Sequence, residues 1–233
     1  MRAKNKYFTL WFILMITFHS ASPQERPILS GEVIQYTTGI KGSPFYINDW
    51  LAGEIFFTDG TRVTDKKFRY NGYTDDILWL HEGSKQVVLI DRNLIEKFCL
   101  YLPGNTEPLV FEKMPLRSAL QQGTGDIFAH SLYKGHISLY AIRQIVKKRD
   151  VIEKRGNARG LFTEIEPRHT YFLILPCGRV SIIDRSRRKS IYRAFPEFRK
   201  ELRSAFKNSR NRLRDENGMI EAVRIINEIY DRK

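Results

Sequence analysis

The sequence predicts an α+β fold: a mostly antiparallel sheet of roughly eight to ten strands, rolled or partly closed, with a C-terminal helical pair packed on it. Turn residues recur about every eight to twelve positions between short apolar runs as far as Asp184, the rhythm of antiparallel all-β structure. After Asp184 the apolar residues change to helical spacing. With 233 residues, 42% of them hydrophobic, the chain is long enough to bury a core of its own.

Taken in order, Arg2, Lys4 and Lys6 precede an apolar run from Phe8 to Phe18, and Ser20-Ala21-Ser22 follow. Crossing a bilayer takes ~20 apolar residues, so this run has the proportions of a secretory signal rather than of a span. Residues 1 to 22 are expected to be a signal peptide, and the protein is expected to be exported, to the periplasm or the cell surface. No cysteine lies near residue 20, so a lipid-anchored form is not expected.

Residues 23 to 184 are expected to form a β-rich domain. Gly53 to Asp65 is an apolar run, an Asp59-Gly60 turn and renewed alternation, a strong hairpin signal. Phe68 and Tyr70 alternate with Arg69, Asn71-Gly72 can turn, Ile77 to Leu80 is strand-like, and Glu82-Gly83-Ser84 turns again before Val87 to Ile90. Leu94 to Leu102 and Pro108 to Met114 continue the pattern, followed by Ile127 to Tyr133 and Ile137 to Val146 around Lys134-Gly135. Lys147 to Gly160, with six cations, two acids and two glycines, is expected to be a mobile basic loop. His169 to Asp184 is a hairpin turning at Pro176 to Arg179.

Residues 185 to 233 are expected to be a basic helical segment packed on the sheet. Ser190 is a candidate N-cap, Pro196 suits a first helical position, and Phe198, Leu202 and Phe206 form one apolar stripe. Arg199, Lys200, Arg203, Lys207 and Arg210 fall on other faces. A last helix from about Asn217 to Tyr230 carries Met219, Val223, Ile226 and Tyr230, widened by Ile220, Ile225 and Ile229.

Gly42-Ser43-Pro44-Phe45, Asn48-Asp49-Trp50, Gly53, Asp59-Gly60, Arg69-Tyr70-Asn71 with Tyr73 and Asp75, together with the basic C-terminal helices, form a pattern that resembles a group of exported proteins of Bacteroidetes-type bacteria. That group has no assigned activity. The resemblance implies fold and export, and no catalytic residue follows from it.

Charge is distributed unevenly. Residues 23 to 142 hold 12 Lys and Arg against 14 Asp and Glu, whereas residues 143 to 233 hold 24 against 12. A basic half of this kind suits an anionic partner. For an exported protein that partner is an anionic envelope component or another envelope protein. Nucleic acid is not expected, because export removes it from reach and no recognition helix or RNA-binding signature occurs.

Catalytic motifs are missing: there is no Gly-x-Ser-x-Gly elbow, phosphate-binding Gly-rich loop, His-Glu-x-x-His or Cys-x-x-Cys. No cofactor and no metal are expected. Cys99 and Cys177 allow either one bridge or two free thiols. The aromatic residues of the first half read chiefly as sheet core. A sharper reading makes Tyr46, Trp50, Tyr73 and Trp79 an aromatic groove. A hydrolase of envelope polymers, using Asp75, Asp76 or His81 beside that groove, is the alternative to a non-catalytic binding or scaffolding module.

Overall fold

The computed structural model describes residues 31–33, 39–116, 125–155, 158–183, 188–208 and 215–232; the expected signal peptide lies outside them. Twelve strands join one sheet: β1 (Gly31–Val33), β2 (Ile40–Lys41), β3 (Leu51–Phe57), β4 (Arg62–Asn71), β5 (Asp76–Leu80), β6 (Val87–Ile90), β7 (Ile95–Tyr101), β8 (Leu109–Met114), β9 (Ile127–Tyr133), β10 (Ser138–Arg155), β11 (Ala158–Ile174) and β12 (Val180–Ile183). Among the described residues three helices follow: α1 (Arg188–Ala194), α2 (Arg199–Asn208) and α3 (Glu216–Tyr230). The strand order is β1-β6-β5-β4-β3-β7-β8-β9-β10-β11-β12, and β2 lies parallel beside β11. All other pairings are antiparallel. The order is open, with β1 and β12 at its ends.

Local chemistry builds the early hairpins. The Asp59 carboxylate accepts from Thr61 N at 2.8 Å while Gly60 takes φ +87°, which a side chain would disfavour. The Asn71 side chain accepts from Tyr73 N at 3.0 Å and Thr74 N at 3.3 Å, turning the chain from β4 into β5.

One face of β3 to β9 supplies a core of its own, including Leu51, Ile55, Phe68, Tyr70, Phe98, Phe111 and Phe128. Phe98 stacks on Phe111 with centroids 4.7 Å apart, and Phe128 meets Phe98 edge-on at 5.1 Å. The carbonyl of Gly72, just past β4, accepts from Ile145 N of β10 at 2.9 Å, although β4 and β10 are five places apart in the sheet order. Glycine is required there, because a Cβ would stand 2.5 Å from the Arg143 carbonyl oxygen.

A second core lies between β10 to β12 and the helices: Leu139, Ala141, Tyr171, Leu173 and Ile183 meet Ile191, Phe195, Phe198, Leu202, Phe206, Met219, Val223 and Ile226. The Phe198-Leu202-Phe206 stripe expected from the sequence is therefore buried, as are Met219, Val223, Ile225 and Ile226 of the second, whereas Ile220 and Ile229 are half-buried and Tyr230 is exposed. Asn227 fixes α3 to the strands: its side chain accepts from Ile137 N at 3.0 Å and donates to Ile137 O at 2.9 Å. At the other end of α3, Asp215 caps the helix by accepting from Gly218 N at 2.7 Å.

Several expectations need correction. Lys147 to Gly160 is not a loop across its length: β10 runs on to Arg155 and β11 starts at Ala158. Three of its cations, Lys147, Lys148 and Arg149, pair with acids of the same hairpin, with Arg149 Nε 2.6 Å from Glu164 and Lys147 Nζ 2.6 Å from Asp150. The strand count exceeds the expected ten because β1 and β2 are too short to show a period. The helical pair is a trio: α1 starts at Arg188, so Ser190 lies inside a helix rather than capping one, and Pro196 sits in the turn before α2. Both cysteines are free thiols, Cys99 buried and Cys177 exposed. Among the described residues no helix is long and apolar enough to cross a membrane.

Candidate functional site

Asp75, Asp76 and His81 are spread along β5 and its flanks. Asp75 closes the turn before β5 at φ +64°, a left-handed conformation that Asp tolerates better than most residues. Its carboxylate is buried and fully engaged, accepting from Tyr70 Oη at 2.7 Å, Arg92 Nη2 at 2.8 Å and Phe128 N at 3.3 Å. It thus ties β4, β9 and the turn after β6 together. His81 follows the opposite end of β5, roughly 16 Å along the strand. Its Nδ1 accepts from Ser84 N at 3.0 Å and its ring packs on Trp79. Asp76 opens with Glu32, Asp91 and Arg92 onto a cleft of about 480 Å³ between β1, β5 and β6. The three residues do not converge on one point. Asp75→Asn is expected to cost about 1–2 kcal/mol in denaturant unfolding, the size of a lost charge-assisted bond, because it weakens the tether to Arg92.

The four aromatic candidates are also dispersed. Trp79 is buried in the core of β3 to β9 and Tyr46 packs against that core. Trp50 carries the Arg69 guanidinium over its ring at 4.3 Å, with Phe45 on the same cation at 4.6 Å. Tyr73 stands exposed in the β4–β5 turn.

Between the two cores lies a polar cluster that the sequence reading missed. Arg143 of β10 is 3% exposed. Its guanidinium donates to Glu216 Oε2 of α3 at 2.6 Å and through Nε to His130 Nδ1 of β9 at 3.1 Å. Tyr171 Oη donates to the same Glu216 oxygen at 3.1 Å, and the Tyr46 ring lies 5.2 Å from the guanidinium. Burial first, then the charge of Arg143 and the neighbouring His169, push His130 down to about 3. His130 is therefore neutral, with Nδ1 as acceptor and the proton on Nε2. Burial raises the Tyr46 hydroxyl, opposed by Arg143. The signal was a cation at an inward position of an apolar alternation, Leu139-Ala141-Arg143-Ile145. This arrangement joins strand to helix, with its charges spent on one another.

The basic face is arranged differently. Phe198, Leu202 and Phe206 are buried, while Arg199, Lys200, Arg203 and Lys207 are exposed. At about 100° per residue, the four cations fall within roughly a 100° arc of α2, and Glu201 lies outside it. None of the four is in an ion pair among the described residues, in contrast to Arg224 of α3, held by Glu221 and Glu228. Arg203 rests over the Tyr192 ring of α1 at 5.8 Å. Lys189 and Arg193 of α1 are exposed as well. Arg210 lies outside the described residues. Among those described, no group of three or more His, Cys, Asp or Glu side chains could hold a metal ion.

The chain matches no known protein family, no curated protein and no solved structure.

Proposed function

We propose that the protein is a non-catalytic binding or scaffolding module of the cell envelope, exported by residues 1 to 22, whose rolled sheet carries a basic face for an anionic envelope component. The observation behind this reading is the stripe of Arg199, Lys200, Arg203 and Lys207, without an ion pair among the described residues, on a helix whose apolar side is already buried. Four exposed cations on one arc meet a polyanion together while keeping much of their hydration, so their effect is long-ranged and sensitive to salt. The resemblance to exported proteins of Bacteroidetes-type bacteria fits this compartment.

Binding of the full chain to inorganic polyphosphate at 50 and 200 mM salt tests the face. Four phosphate contacts on a single-stranded polyanion give a salt slope near −3, so affinity is expected to fall roughly fiftyfold between the two conditions. Reversing Arg199, Lys200, Arg203 and Lys207 to glutamate is expected to abolish binding at 200 mM while leaving thermal unfolding within a few degrees of wild type. Salt-insensitive binding, or binding kept by the reversed variant, would sink the reading.

A further inference from the structure

The cations of α2 do not stand alone. Arg203 lies over the Tyr192 ring of α1 at 5.8 Å, so the basic arc of α2 meets α1 along its flank. From Tyr192, Lys189 and Arg193 stand about 60° and 100° further round α1, while Ile191, Ala194 and Phe195 turn the other way and are buried. Arg179 of the β11–β12 turn is exposed and donates through Nη2 to the Ala194 carbonyl at 3.2 Å, which brings a third basic element beside the two helices. Lys189, Arg193 and Arg179, like the α2 cations, are in no ion pair among the described residues. Across residues 189–207 six exposed cations face two exposed acids, Glu197 and Glu201.

The layout of these charges decides between anionic partners. A linear polyanion presents its charges in a row, and the α2 stripe, about 12 Å from Arg199 to Lys207, answers such a row by itself. Lys189 and Arg193 lie to the side of that row by a helix's width, ~10 Å, where a single strand leaves them unused. A plane of negative charge covers both helices at once. The surface offers nothing large and apolar to bury, since none of the exposed large hydrophobic side chains of the described residues belongs to α1 or α2. A bilayer is therefore met at its headgroups, without insertion.

We propose that α1 and α2 together dock the protein on an anionic lipid bilayer, held by the charge of the headgroups. This rests on the polyanion reading and narrows it to one partner. Each Lys or Arg near an anionic membrane surface raises partition about fivefold. Six of them make a firm contact at low salt, and screening within a Debye length loosens it.

Co-sedimentation of the full chain with vesicles of about one-third phosphatidylglycerol in phosphatidylcholine tests the proposal. Binding is expected at about 50 mM salt, weakened at about 200 mM, and absent from phosphatidylcholine alone. Lys189→Gln with Arg193→Gln should lower partition about 25-fold. The same pair should change binding to inorganic polyphosphate by less than about threefold, because the row on α2 is intact. Both sites are exposed and Gln is a good helix former, so the thermal midpoint should stay in place. Polyphosphate bound while the vesicles are ignored would overturn the bilayer proposal and leave the basic-face reading standing; no binding to either would end both. Equal binding to phosphatidylcholine, or equal losses on vesicles and polyphosphate in the double variant, would also overturn it.

Discussion

Arg143→Met is expected to lower the unfolding free energy by about 3 kcal/mol, the lower end of the range for breaking a buried ion pair by removing one partner. The substitution keeps much of the side-chain bulk, so packing against Tyr46 and Tyr171 survives. What is lost is the partner of the Glu216 carboxylate, the 3.5 Å bond that Arg143 Nη1 donates to Tyr171 Oη, and the donor on His130 Nδ1. Glu216 is a third exposed on its side chain, which lets water recover part of its solvation and sets the estimate at that lower end. For a chain of this size the thermal midpoint should fall by roughly 6–12 °C. Glu216→Gln in the Arg143→Met background should cost much less than the sum of the two single changes, because it removes the carboxylate already left unpaired. Additive costs would mean that the two side chains do not act as a pair.

Acid is expected to destabilise the protein before its carboxylates titrate, and His130 is the reason. Its folded value of about 3 lies below the ordinary histidine value of 6.5. Between those limits the unfolded chain binds a proton that the folded chain does not, so stability rises with pH through the window and is fully present above about 6.5. Each pH unit below that costs roughly 1.4 kcal/mol, or about 2 kcal/mol from this residue alone at pH 5. His130→Gln keeps an acceptor for Arg143 and cannot take up the proton. The check is the slope of unfolding free energy between pH 7 and pH 5, where most carboxylates stay ionised. The variant's slope should be shallower than wild type by about that amount. Parallel slopes would show that His130 is not held neutral by the fold.

The elements that show in the sequence are those whose causes lie close together in the chain. Asp59-Gly60 and Asn71-Gly72 announce hairpins because the turn residue does the work itself. The stripe of Phe198, Leu202 and Phe206 specifies its helix within ten residues, and the basic arc of α2 is its complement. The outer part of the β10–β11 hairpin was illegible for a physical reason: Lys147 to Asp150 are all exposed and Val151 and Phe162 only half-buried, so no period is imprinted, and its charges look like those of a loop. The acids that balance it, Glu164 and Glu166, come after the turn. Trp79 could equally line a groove in the sequence, and only its packing with residues of β3, β4 and β7 to β9, far from it in the chain, puts it inside. Arg143 was visible as a misfit, but its partners His130 and Glu216 are 13 and 73 residues away, a separation that a local pattern does not encode.

The two polar anchors of α3 also make it a gauge of length. Glu216 reaches Arg143 and Asn227 reaches Ile137, so eleven helical residues, about 16 Å, are matched to six residues of strand, about 20 Å. Eleven residues are close to three full turns, which is why both anchors point the same way. An insertion of a single residue between them would rotate one anchor by about 100° relative to the other and leave either Arg143 or Ile137 unanswered. Evolution can therefore change the composition of α3 far more easily than its length.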